Sequence, residues 1–344
     1  MKFRAKSVYG SKTFQASLFE DREYTEYKGF VLRNSGNDSM WTRLQDGFES
    51  RLLDAYGATV IHQAWKPVAV YLNGVYWGHM NLRERVDRYF VAQHEGLTLD
   101  EADNMDVLQA SGASKYGSSN KAYKAMVKQI KAGDPAHNAE DLQYILDNVD
   151  VDNLFEYMAL EMFVGNSDIG NTRFYRVRSE GSKWKWIWYD ADYGFFNSKF
   201  DSPASYTKSS GMGQQKIDNT IFRKLLSVPE YKDLFLQKLG KVFKTFTTQY
   251  MLDVLEPLVA LITPEMELHW ARWGEENDKM VIAEVPTTVD GAYRYWEKRV
   301  ERLRNVLRKR PTYLWEMIQN TFQLSGTQMI QYFGEQPEMP ADAV

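Results

Sequence analysis

The 344-residue sequence contains no cysteine. Disulfides, thiolate metal sites and cysteine nucleophiles are thereby excluded. It also lacks any run approaching about 18 consecutive apolar residues, so no membrane-spanning helix is expected. Neither sign of charge dominates. Lys and Arg number 42 against 46 Asp and Glu, a formal net charge of -4, which gives no electrostatic case for a nucleic-acid partner or an anionic membrane. Phosphate-loop and hydrolase signatures are missing as well. Gly112 and Gly117 carry the Walker A separation, but Ser118-Ser119 stands where Lys-Ser/Thr is needed. No Gly-x-Ser-x-Gly elbow occurs. The five histidines, including His62, His79 and His269, lack metal-ligand spacing.

Apolar residues are plentiful at 44%, and aromatic residues reach 14%. A chain of this length can therefore bury one large core or two lobes sharing a cleft. The opening MKFRAKSVYG alternates apolar with basic residues and reads as a strand, not a signal peptide, so the chain is expected to start inside a domain. Phe30-Val31-Leu32 reads as a short buried strand. Asn37, Asp38 and Ser39 offer caps for a helix carrying Trp41, Leu44, Phe48, Leu52 and Tyr56 and stopped by Gly57. PVAVYLNGVYWGHMNLRE predicts a hairpin around Asn73-Gly74, the favoured type I′ pair, followed by a helix from Glu84 to His94. Residues 111–122 read as a loop. Helices are expected near 119–132, 138–148 and 151–164, then a strand pair with Trp184, Trp186 and Trp188 on one face. The polar stretch 197–216 reads as a mobile loop, and 218–320 as helical, with Trp296, Val300, Leu303 and Leu307 on one stripe. The last dozen residues read as a disordered tail. The fold class is α+β, with a β-rich first third and a hinge near 83–96.

Two polar clusters bracket the Trp-bearing strand pair. One is Asn166-Ser167-Asp168-Ile169-Gly170-Asn171; the other is Asp190-Ala191-Asp192-Tyr193-Gly194. A hairpin brings its ends together, so these oxygens can converge, and converging carboxylate and amide oxygens suit Mg²⁺. Phosphoryl transfer uses such a set: one Asp takes the proton of the attacking hydroxyl, while an Asn and a second Asp hold the metal on the phosphates. Asp168 fits the first role and Asn171 the second. Asp-Tyr-Gly at 192–194 is similar to the Asp-Phe-Gly of ordinary protein kinases. Asx-turns explain many such aspartates, but charges at the edges of buried elements are costly unless paired or metal-bound.

Several segments resemble the CotH kinase family: FVLRNSGND at 30–38, PVAVYLNGVYWGHMNLRERVDRYF at 67–90, VGNSDIGNTRFYR at 164–176 and WIWYDADYGF at 186–195. HWARWG at 269–274 and YWEKRVERLRNVLRKRP at 295–311 are similar to it too. The resemblance implies one two-lobed atypical protein-kinase-like domain over 1–330, with an N-terminal lobe at 1–95, a helical lobe at 96–330 and a tail at 331–344. It implies ATP and Mg²⁺ or Mn²⁺ as cofactors, and Ser or Thr of a spore-coat or surface protein as acceptor. Residue by residue, it implies Asp168 as catalytic base, Asn171 on the metal and nucleotide, and Asp190 and Asp192 as metal ligands with their order left open. Glu84 is a nucleotide-site candidate, or else a first-turn helix carboxylate. The family's glycine-containing segment and nucleotide-binding lysine are expected upstream of the strand that opens this chain. That departure supports a second reading, an inactive kinase-like module serving as a structural or surface-binding protein. A third reading, a glycan-binding or glycan-acting domain, requires Trp184, Trp186 and Trp188 to be exposed along a groove.

Overall fold

The first strand, β1 (Lys2–Arg4), does not pair with its chain neighbours β2 (Phe14–Gln15) and β3 (Glu26–Tyr27), which form a small ladder of their own. It pairs instead with β4 (Gly29–Arg33), placing Phe3 opposite Phe30. The computed structural model that shows this describes residues 1–275, 286 and 288–341. A 3-10 turn over Gly36–Met40 leads to α1 (Gln45–Tyr56), so the helix starts later than the caps suggested. Asp38 still serves it, accepting from the backbone N–H of Thr42 at 2.8 Å and of Gln45 at 3.0 Å. Gly57 closes it in the left-handed region at φ +71°.

The predicted hairpin forms from β5 (Trp65–Leu72) and β6 (Val75–Glu84), with Asn73 at φ +51° and Gly74 at φ +79°. The four-stranded antiparallel order is β1-β4-β6-β5. β4 is half-buried instead of buried, because only a small cluster of Phe19, Tyr27, Ala64 and Leu82 packs beside it. Glu84 belongs to β6, where it pairs with Phe30. It is therefore not a first-turn helix residue. The helix that follows is α2 (Arg88–His94), capped by Asp87, which accepts from Tyr89 N–H at 2.9 Å.

A second sheet spans the middle of the chain. β7 (Met105–Gln109) turns into β8 (Ala113–Lys115), which occupies part of the stretch expected to be a loop. The three expected helices are α3 (Lys121–Ala132), α4 (Ala139–Asn148) and α5 (Val151–Val164). β9 (Arg173–Val177) and β10 (Lys185–Ile187) form the predicted strand pair, and β7 adds to its other edge, giving the order β10-β9-β7-β8. Trp184, Trp186 and Trp188 are only 1%, 6% and 2% exposed. Tyr123 and Phe174 pack against them with ring centroids 5.0 and 5.8 Å away. They form core, and the glycan reading fails on its own criterion.

The polar stretch 197–216 is built, not loose. It contains α6 (Ser202–Thr207), whose Ser202 and Tyr206 are fully buried, and a bridge between Met212 and Ile217. Then follow α7 (Thr220–Leu226), α8 (Pro229–Thr245), α9 (Thr248–Trp273) and α10 (Val289–Phe322). Residues 276–285 and 287, inside the expected helical region, lie outside the described residues. The α10 stripe of Trp296, Val300, Leu303 and Leu307 is buried as its spacing predicts. α11 (Gly326–Phe333) runs past the expected tail boundary because Met329 and Phe333 enter the core. Residues 342–344 of that tail lie outside the described residues.

Candidate active site

α5 is apolar on almost every face and buried on almost every face, from Asn153 to Val164. Its end fixes the first polar cluster. Gly165 turns the chain at φ +68°, and a side chain there would meet the Arg310 guanidinium, whose Nη2 lies 2.9 Å from the place of a Cβ. Arg310 is fully buried and donates to the carbonyls of Met162 at 2.7 Å and Phe163 at 2.8 Å. These are last-turn carbonyls with no partner inside the helix. The same guanidinium holds Phe200 O and Ser202 Oγ, both at 2.7 Å. Tyr206 then donates to Asn166 O at 2.5 Å.

Asp168 leaves this anchored turn partly exposed. Its N–H donates to Asn166 Oδ1 at 3.1 Å, and its Oδ1 accepts from Gln215 Nε2 at 2.5 Å. Among the described residues its Oδ2 accepts no hydrogen bond. Asn171 ends the 3-10 turn that follows. Its Nδ2 donates to Asp190 Oδ2 at 2.8 Å, and its Oδ1 accepts from Gln109 Nε2 at 3.3 Å. The two ends of the β9–β10 hairpin do converge.

In a continuing strand Asp190 and Asp192, two residues apart, would share one face. β10 instead stops at Ile187, and Asp190 sits in the left-handed region at φ +60°. The carboxylates still meet, because both face Arg33 at the end of β4. One nitrogen, Nη2, donates to Asp190 Oδ1 at 2.5 Å and to Asp192 Oδ2 at 3.0 Å. Asn37 N–H adds a donor to Asp192 Oδ2 at 3.2 Å. Burial pushes the Asp192 carboxyl up to about 7; the adjacent Asp190 charge adds to this, and Arg33 opposes it. Arg33 itself is held above its ordinary value, its partners Asp46, Asp190 and Asp192 outweighing its burial.

Glu84 lies elsewhere and is fully engaged. Its oxygens accept from the Tyr24 hydroxyl, from Arg22 Nε at 3.1 Å and from Ala64 N–H at 2.8 Å. Burial alone would raise its pKa, but His94, Arg22 and the Ala64 N–H together bring it down to about 2. The structure does not bring Glu84 into the Asp190–Asp192 cluster. Two residues on, Val86 O accepts from Tyr116 Oη at 2.5 Å and Arg173 Nη1 at 2.7 Å, tying the end of the first sheet to the second.

With this arrangement in view, a model of the CotH kinase protein family matches residues 2–314. The chain belongs to the CotH kinase family. No curated protein matches it. The matched span of this CotH-family chain covers every residue of the cluster, and it includes two that sequence reasoning missed. Arg33 stands inside the segment FVLRNSGND but had no chemistry assigned to it; a charge ending an apolar strand was the available signal. Gln215 lies in a polar stretch with no signal of its own.

The donor set fits a divalent cation in kind. Two carboxylates and an amide are hard oxygen ligands, and one positive group already bridges both carboxylates. Among the described residues no group of three or more His, Cys, Asp and Glu is placed to hold a metal. A cation here would thus take Asp190, Asp192 and an amide oxygen, with phosphate or water completing its shell. Asn171 turns its nitrogen to Asp190, so offering its oxygen there requires the amide to turn over.

Proposed function

We propose that the protein is a metal-dependent phosphotransferase with a two-lobed kinase-like fold, passing the γ-phosphate of ATP to Ser or Thr of a coat or surface protein. One observation carries the reading: Asp190 and Asp192 converge on a single positive group, with Asn171 bonded to Asp190 and Asp168 three residues before it. In this reading Asp168 takes the acceptor proton through Oδ2, while Gln215 holds Oδ1 and fixes the carboxylate plane. Asp190, Asp192 and Asn171 hold Mg²⁺ or Mn²⁺, which when bound supplies charge neutralisation on the phosphates. Glu84 acts on the nucleotide side by position, not by touch. It locks the end of β6 beside Val86, where the two sheets are joined.

The test is thermal unfolding with ATP and Mg²⁺ or Mn²⁺. Binding to the native state raises the midpoint, by an amount equivalent to about 2.7 kcal/mol at a hundredfold excess over Kd. If no nucleotide–metal pair stabilises the protein, the phosphotransferase reading falls and the inactive binding module takes its place.

A further inference from the structure

Arg33 Nη2 stands between the two carboxylates assigned to the metal, 2.5 Å from Asp190 Oδ1 and 3.0 Å from Asp192 Oδ2. The fold makes room for it. Gly36 adopts φ +62°, and a Cβ there would lie 2.5 Å from Arg33 Nη2 and 2.6 Å from Asp192 Oδ2. A left-handed backbone with no side chain is thus what admits the guanidinium to the pair. β4 aims it, since Arg33 is the last residue of that strand and pairs with Asn81 of β6. Asp46 steadies the other side, with Oδ2 3.8 Å from Arg33 Nε.

A divalent ion shared by Asp190 Oδ1 and Asp192 Oδ2 would sit about 2.0–2.6 Å from each oxygen. That is the volume Nη2 now fills, and two cations cannot share it. We propose that Arg33 is the resident counter-ion of the Asp190–Asp192 pair, that the divalent ion must displace it, and that this exchange sets the protein's metal affinity. The inference rests on the proposed metal-dependent reading. The carboxylates are never left facing each other unpaired: Arg33 bridges both without metal, and metal does so with Arg33 withdrawn. Arg33 is a positioning residue here, acting through the carboxylates it holds.

The experiment is Mn²⁺ binding, read by the loss of the free-ion electron paramagnetic resonance signal, on the full chain and on Arg33→Gln and Arg33→Lys. The expected result is that Arg33→Gln binds Mn²⁺ about tenfold or more tighter than the unaltered protein, with Arg33→Lys in between. Thermal unfolding runs alongside, because Arg33→Gln leaves two carboxylates facing each other. Its midpoint should fall without metal and climb more steeply with added Mn²⁺. Equal or weaker Mn²⁺ binding by Arg33→Gln, together with equal metal-induced midpoint shifts, would overturn the exchange but leave the metal site standing. In that case the ion uses the outer oxygens, Asp190 Oδ2 and Asp192 Oδ1. No Mn²⁺ binding by any of the three proteins at millimolar metal overturns the metal-dependent reading itself.

Discussion

Glu84 and Asp192 are both buried carboxylates, and burial raises both, but only at Glu84 do the neighbours outweigh it. Glu84 is surrounded by donors, and its carboxyl is brought down to about 2 from an ordinary 4.5. Asp192 is pushed up to about 7, by its burial first and by the adjacent Asp190 charge second, and Arg33 opposes this only in part. The sign for Glu84 follows from linkage. Its folded value lies below its unfolded one, so its contribution to stability is complete above about pH 4.5 and is lost as pH falls toward about 2. That contribution is about 3 kcal/mol. Glu84→Gln should therefore destabilise the protein at pH 7, and the difference from the unaltered protein should shrink between pH 4.5 and 2.5. Urea unfolding across that range measures it. A gap that stays constant with pH would mean that Glu84 does not titrate as its surroundings require.

The end of α5 shows how one element sets the geometry of the site. Arg310 of α10 satisfies the last carbonyls of α5 and also holds Phe200 and Ser202 at the start of α6. Arg310→Met keeps much of the bulk but removes the one donor that Phe163 O and Ser198 O have among the described residues, while Met162 O keeps Ser202 Oγ at 2.6 Å. The expected loss is about 3 kcal/mol or more, with faster amide exchange over 166–171 than over the β5–β6 hairpin. Uniform loosening across both regions would contradict a local role. This anchoring was not legible in the sequence. α5 itself was readable from its all-round apolar character, and the Asn73-Gly74 hairpin from its turn pair, because both signals are local. Arg310 and Ser202 are 108 residues apart, and Arg33 and Asp190 are 157 apart. Periodicity carries no information over such separations. The polar cluster was readable for a different reason: Asp168 follows the apolar α5 and Asp190 follows the aromatic strand β10, where burial demands a partner, and Asn171 and Asp192 lie close to them in the chain. The partners, Gln215 and Arg33, are supplied by distant chain. Glu84 was misplaced in a helix because the strand pattern of β6 runs into the charged segment Arg83-Glu84-Arg85 without a turn residue to mark its end.

At the scale of the molecule, the two antiparallel sheets meet where the site forms. β4 of the first sheet delivers Arg33, and the turn after it delivers Asn37. The second sheet delivers Gln109 and, at the ends of its β9–β10 hairpin, Asn171 and Asp190. Just past β10, Trp188 N–H donates to Ile61 O at 2.9 Å, in the segment that leads into β5. α5 ends at Val164, and the Gly165 turn leads on to Asp168. Family membership and this convergence point the same way, and the assignment of roles stands on Asp168 and Asp190 more than on any other residues. The most direct measurement is transfer of label from γ-labelled ATP to protein, with Mn²⁺ or Mg²⁺, by the full chain and by Asp168→Ala and Asp190→Ala. The account predicts transfer by the unaltered protein and a loss of about a hundredfold or more in each variant, with both variants still unfolding cooperatively. Undiminished transfer in both variants would contradict it.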